Sequence, residues 1–252
     1  MSKLAYQHHS LTSPQEFNTL CAQSIMERIQ NALNKHSRAM IGLSGGSTPI
    51  PIYKILSELL KPILPNKNII FFLMDDRYVP MDHSDSNQKL VLDSLNVTQE
   101  QVTLIFPNNK LPIDECVKDY QERLQRELEK QPNQKVTVST LGMGPDGHTC
   151  SIFPSTNKNR DIFCDEFKVV HTTTTQFAVF DRITVNYHFL LKHSEELFMF
   201  FRGQDKWKLW KEMEQFILEK RNGSANEDTN DWLKYPCLPF LCMENCVLFS
   251  SE

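Results

Sequence analysis

The chain has 252 residues, a formal net charge of −4, 40% hydrophobic and 23% charged side chains, an ordinary globular composition that can build a core without crosslinks. Its 27 basic and 31 acidic residues are intermixed, which argues against the basic face of a nucleic-acid binder and leaves an anionic ligand to be attracted by a few placed Lys and Arg residues. An odd set of 7 cysteines without CxxC spacing fits neither a disulfide framework nor a zinc ribbon. Met1–Ser10 has no apolar signal core, and runs such as Ile69–Met74 are too short to span a bilayer, so a cytoplasmic protein that does not engage a membrane is expected.

Ser13-Pro14-Gln15-Glu16 spells a capping box with Pro at the first helical position, and predicts a helix to about Lys35. Arg38–Leu43 reads as a buried strand, Ser44–Ser47 as a glycine-rich turn, and Thr48-Pro49 as a capped helix start leading to about Leu60. Ile69–Met74 has the continuous apolar character of a strand covered on both faces. Helices at Ser86–Leu95 and Asp114–Lys130 flank a short strand at Val102–Ile105, and Val136–Leu141 is the next strand. Val169–Val170, Ile183–Tyr187 and Leu197–Phe201 read as strands, Asp205–Glu219 as a helix, and Arg221–Thr229 as a polar, mobile loop. This alternation predicts one α/β domain over residues 1–252, with a mostly parallel central sheet flanked by helices on both faces, Rossmann-like in outline. Ligands in such sheets bind beyond the carboxyl ends of the strands.

Three unusual loops follow predicted strand ends. In Ser44-Gly45-Gly46-Ser47-Thr48, the glycines expose backbone N–H groups, two hydroxyls add donors, and the following helix brings its positive end. That combination can cradle a phosphate, although it lacks the Lys of a Walker loop; a plain strand-to-helix turn is the alternative. Asp75-Asp76-Arg77-Tyr78-Val79-Pro80 could be a salt-bridged loop. It could equally offer Arg77 as a fixed cation for phosphate or an oxyanion, with the acids holding it or binding sugar hydroxyls. Gly142-Met143-Gly144-Pro145-Asp146-Gly147-His148 is the most informative, because three glycines and a proline deliver Asp146 and His148 to the sheet edge. An imidazole, with a reference pKa of ~6.5, suits proton transfer near neutrality. The other histidines read as surface residues. Cys150 lies too close to His148 in sequence to serve as its nucleophile, and Asp82, His83 and His148 lack metal-ligand spacing.

In these motifs the chain resembles the 6-phosphogluconolactonases, within the superfamily that includes glucosamine-6-phosphate deaminase (the NagB-type fold). The resemblance runs through SGGSTP at 44–49, DDRYVP at 75–80 with SN at 86–87, GMGPDGHTCSIFP at 142–154, Arg182-Ile183-Thr184 and Gly203-Gln204-Asp205-Lys206. It implies that His148 activates water against a phosphorylated sugar lactone, without metal or organic cofactor. It also implies that Gly45, Gly46, Ser47, Thr48 and Lys206 hold phosphate together with Arg77, Arg182 or both, and that the enzyme is linked functionally to glucose-6-phosphate dehydrogenase. Two departures stand out: Cys150 replaces the usual small residue, and Thr172–Phe180 replaces a Pro-rich approach to Arg182. The deaminases carry an acidic residue five positions after the loop histidine, where this chain has Phe153, so an isomerase-deaminase is disfavoured. A non-catalytic sugar-phosphate sensor is the other alternative, against which His148 counts.

Overall fold

The computed structural model describes residues 4–154, 160–222 and 229–251. Its elements run β1 (Gln7–Leu11), α1 (Pro14–His36), β2 (Ala39–Leu43), α2 (Pro49–Leu60), β3 (Ile69–Leu73), β4 (Asp75–Arg77), α3 (Asn87–Leu95), β5 (Thr103–Ile105), α4 (Ile113–Leu128) and β6 (Val136–Gly142). They continue with β7 (Val169–Thr173), β8 (Asp181–Val185), α5 (Tyr187–Lys192), β9 (Ser194–Arg202), α6 (Gln204–Asn222), α7 (Thr229–Lys234) and β10 (Cys246–Ser251).

Seven strands form one sheet in the order β1-β10-β9-β6-β2-β3-β5, and each pairing in it is parallel. Successive side chains on a strand point to opposite faces, so each central strand feeds two cores. Ile41, Leu43, Phe71, Phe198 and Phe200 pack under α1, α2 and α3. Met40, Phe72, Met199 and Phe201 pack under α4, α5 and α6 with Tyr120, Phe189 and Trp210. Burying a side chain of that size stabilises by about 1.5–3 kcal/mol relative to leaving it exposed.

From β2 the chain winds outward through β3 to β5, and from β6 it winds the other way through β9 to β10. The order therefore reverses between β2 and β6. The loops after β2, β3, β6 and β9 emerge around that switch point, where open α/β sheets form a crevice.

Several expectations are corrected. The strands expected near 169 and 183 do not join the main sheet; β7 and β8 form a separate antiparallel sheet with β4, in the order β4-β8-β7. Asp75–Arg77 is thus a strand rather than a loop, and Tyr187 opens a helix instead of ending a strand. Ser13 caps α1 as expected, accepting from Glu16 N at 3.1 Å. Thr48, by contrast, has helical φ and ψ and makes no side-chain cap bond. Helix α6 extends to Asn222, and positions 223–228 of the expected loop lie outside the described residues.

Candidate active site

The loop after β2 begins on a buried polar knot. Ser44 N donates to Thr140 Oγ1 at 2.9 Å and to the Tyr53 hydroxyl at 3.0 Å, while that hydroxyl donates to Ser44 O. Tyr53 sits on α2 and Thr140 on β6, so the knot fixes the chain at the mouth of the switch point. The Thr48 side chain makes no cap bond, and Thr48 lines a cavity of about 340 Å³ together with Gly45, Gly46 and Ser47. Gly45 has no room for a side chain: a Cβ there would stand 1.9 Å from Asn87 Oδ1.

The strand β4 brings Asp75 and Arg77 to the same cavity. Asp75 is buried, and its carboxylate accepts from Ser151 Oγ at 2.7 Å, with Asn87 Nδ2 at 3.5 Å. Asp76 faces away and organises the loop. Its Oδ1 accepts from the N–H groups of Arg77 and Asn87, both at 2.8 Å, and its Oδ2 accepts from Gln88 Nε2 at 3.0 Å. Burial raises the Asp76 carboxyl from its ordinary 3.8 to about 6, against the lowering effect of these donors. Arg77 Nη1 donates to Asp85 O at 2.7 Å, and its Nε is buried without a partner.

The loop after β6 presents His148. The imidazole lies so close over Gly144 that a Cβ at that position would be 2.1 Å from ring atoms Cε1 and Nδ1. Its Nδ1 lies 2.5 Å from Asp146 Oδ1, which also accepts from His148 N at 3.2 Å. Burial works to raise the Asp146 carboxyl, but the hydrogen bonds and charge of His148 prevail and the pKa is lowered. An ionised Asp146 is acceptor-only, so Nδ1 carries the ring proton and Nε2 holds a free lone pair. No described residue hydrogen-bonds Nε2. Cys150 also lines the cavity, with a left-handed backbone at φ 50°. Burial, reinforced by Asp75, pushes its thiol well above the usual range, so it is no ready nucleophile.

Lys206 reaches the cavity from the first turn of α6. Burial lowers its pKa, and no described carboxylate forms an ion pair with it. Arg182 behaves differently from expectation, since it does not line the cavity. It is buried, its Nε donates to Val179 O at 3.0 Å, and its Cζ lies 5.9 Å from the ring centroids of both Phe153 and Phe177. Cross-strand pairing sets it directly opposite Arg77. Among the described residues, no group of three His, Cys, Asp or Glu side chains is placed to hold a metal.

The structure therefore gathers His148, Arg77, Asp75, Lys206 and the 44–48 loop around one cavity, sets Asp146 behind His148, and leaves Arg182 outside. Sequence reasoning passed over Asn87, Tyr53, Thr140, Ser151 and Phe177. Only the Ser86-Asn87 pair gave any signal.

Comparison with known proteins shows the family. Residues 12–227 match the family described as Glucosamine-6-phosphate isomerases/6-phosphogluconolactonase. A probable 6-phosphogluconolactonase of Dictyostelium discoideum is 39% identical over 79% of this chain and 84% of its own length. A bifunctional glucose-6-phosphate 1-dehydrogenase/6-phosphogluconolactonase of Plasmodium falciparum is 34% identical over 79% of this chain, a match that spans 25% of that longer protein. The solved structure of a 6-phosphogluconolactonase from Plasmodium vivax superposes with a TM-score of 0.78 at 26% identity, covering 99% of this chain and 92% of that one.

Proposed function

Because the chain belongs to the glucosamine-6-phosphate isomerase/6-phosphogluconolactonase family, we propose that it hydrolyses 6-phosphoglucono-1,5-lactone to 6-phosphogluconate, a step of the oxidative pentose phosphate pathway. The observation that carries this reading is His148. Its Nδ1 is held by Asp146 at 2.5 Å, and the residue lines the same cavity as the Ser44–Thr48 loop and Lys206.

The phosphate sits against the N–H groups and hydroxyls of Gly45, Gly46, Ser47 and Thr48, with Lys206 supplying charge. This places the lactone carbonyl near His148. Nε2 takes a proton from water as the water oxygen attacks the carbonyl carbon. Arg77 faces the oxyanion that forms, a contact of a kind whose removal typically costs about 2.7–4 kcal/mol of transition-state stabilisation. The intermediate then collapses with cleavage of the bond to the ring oxygen, and the imidazolium returns the proton to that oxygen. Asp75 accepts from a sugar hydroxyl. The position that would carry an acid in a deaminase is Phe153, whose ring lies 4.9 Å from that of His148; a phenyl ring cannot relay a proton, which supports hydrolysis over isomerisation.

The bifunctional relative supports a functional link to glucose-6-phosphate dehydrogenase, the oxidation that makes such a lactone. Cys21, Cys116, Cys237 and Cys246 are buried free thiols, and no described helix is long and apolar enough to cross a membrane. The thiols support a reducing compartment such as the cytoplasm.

The test is His148→Ala, assayed for 6-phosphogluconate release from freshly made lactone after subtracting spontaneous opening. Turnover should fall about 10²- to 10⁴-fold, the usual contribution of a general base, while affinity for 6-phosphogluconate stays within about threefold. A variant with near-normal turnover would remove His148 from the mechanism. Phosphate-ester binding by the wild type without any rate increase would favour a sensor.

A further inference from the structure

Two large aromatic side chains belong to neither core. Phe153 and Phe177 are half-buried, and their ring neighbours are each other, His148 and Arg182. Phe177 is the more unusual of the two. It stands in the connection between β7 and β8, within the Thr172–Phe180 stretch that departs from the Pro-rich approach. Its surroundings there are polar or exposed: Thr175, Gln176, Ala178 and Phe180 all face solvent. Ordering a phenyl ring from such a connection is worthwhile only where the ring finds partners, and the partners here are the imidazole, the Phe153 ring and the Arg182 guanidinium.

His148 and Phe177 meet edge to face, with centroids 5.2 Å apart and planes at 71°. Such pairs carry an orientation preference beyond simple burial. The imidazole thus has four neighbours: Asp146 takes its Nδ1 edge, Gly144 lies beneath it, the Phe153 ring lies 4.9 Å away, and Phe177 closes the flank next to the cavity. Asp146 alone sets the tautomer but leaves the ring free to swing about the hydrogen bond. Phe177 is the ring neighbour of His148 that also lines the cavity.

We propose that Phe177 is a positioning residue that fixes the imidazole of His148 so that Nε2 is aimed into the cavity. The proposal rests on the reading of His148 as the general base. A ring that wanders by 1 Å loses the alignment needed for proton transfer, a misplacement that can cost about 10²-fold.

The experiment compares wild type with Phe177→Ala, Phe177→Leu and Phe177→Tyr, each also in the His148→Ala background, using kcat and KM for the lactone and thermal melting. Expected is a kcat loss of about tenfold to hundredfold for Phe177→Ala with KM within about twofold. Phe177→Tyr should recover most of that loss, Phe177→Leu should not, and melting should be alike for all three. In the His148→Ala background the substitution should cost nothing further. NMR relaxation of the labelled His148 imidazole should show increased ring motion in Phe177→Ala while the tautomer set by Asp146 is kept, a readout that does not depend on turnover. Unchanged kcat, a rise confined to KM, equal losses in Tyr, Leu and Ala, or a further loss on top of His148→Ala would each overturn the proposal. If His148→Ala itself kept full turnover, the base assignment would fail first, and the proposal with it, whatever the NMR showed.

Discussion

Lys206 and Gly144 show how much a single position decides. Burial disfavours the Lys206 ammonium and lowers its pKa, so its proton leaves below the ordinary lysine range and its attraction for phosphate fades as pH rises through that lowered value. Calorimetric titration with 6-phosphogluconate should therefore show affinity falling towards alkaline pH in the wild type. Lys206→Arg should hold its affinity to higher pH, because guanidinium keeps its charge. At pH 7, Lys206→Ala should weaken binding by about 10- to 150-fold, the range of a hydrogen bond to a charged group, and should leave unphosphorylated gluconate unaffected. Gly144→Ala acts differently. Its Cβ would stand 2.1 Å from the His148 ring, so the imidazole must shift; kcat should drop about 10²-fold while 6-phosphogluconate affinity is retained, as kinetics and titration together would show. Asp146 and His148 were legible from sequence because they lie two residues apart in a glycine-rich turn. Ser151 and Tyr53 were not, since each matters through a partner 76 or 87 positions away.

At the scale of elements, the strands legible from the sequence were those whose character is apolar on both faces. Ile69–Leu73 and Ala39–Leu43 are buried throughout, and a continuous hydrophobic run announces such a strand. The strands that stayed hidden are polar. β1 reads QHHSL and is mostly exposed at the sheet edge, and β4 reads DDR; their backbone pairing, not their side chains, makes them strands. Hydrophobic pattern also could not tell that β7 and β8 leave the main sheet, because a buried run reads alike in either. Helix α2 was found at its correct start for an incomplete reason, as Pro49 begins it while Thr48 caps nothing. What holds that junction is Tyr53, whose hydroxyl bonds Ser44 and lies 3.1 Å from Thr140 Oγ1. Tyr53→Phe should cost about 1–3 kcal/mol by stranding buried partners. Urea unfolding would measure it, and a matching loss of phosphate affinity would tie the knot to the loop.

For the molecule as a whole, the reversal of strand order between β2 and β6 explains why residues far apart in sequence share one cavity, and the alternating elements made that architecture legible. Global stability carries the mark of the site. Native Asp76 keeps its proton up to about 6, whereas an ordinary carboxyl at 3.8 releases it earlier. Between these values the folded state binds more protons, so this group's contribution is full below the lower value and fades as pH rises through the upper one. The span is worth about 3 kcal/mol. Denaturation of wild type and Asp76→Asn between pH 4 and 7 should differ by a slope of that sign, and identical slopes would remove Asp76 as its source. The last consequence belongs to the β4–β8 ladder. It seats Arg77 across from Arg182, with no described carboxylate in ion-pair contact with either, although like charges placed directly opposite are unfavourable. Asp75, Asp76 and Asp85 offset part of that repulsion on Arg182, and an incoming anion would add to the offset. Inorganic phosphate, with no lactone present, should consequently act as a thermal protectant, raising the melting midpoint by several degrees near saturation, where chloride at equal ionic strength does not.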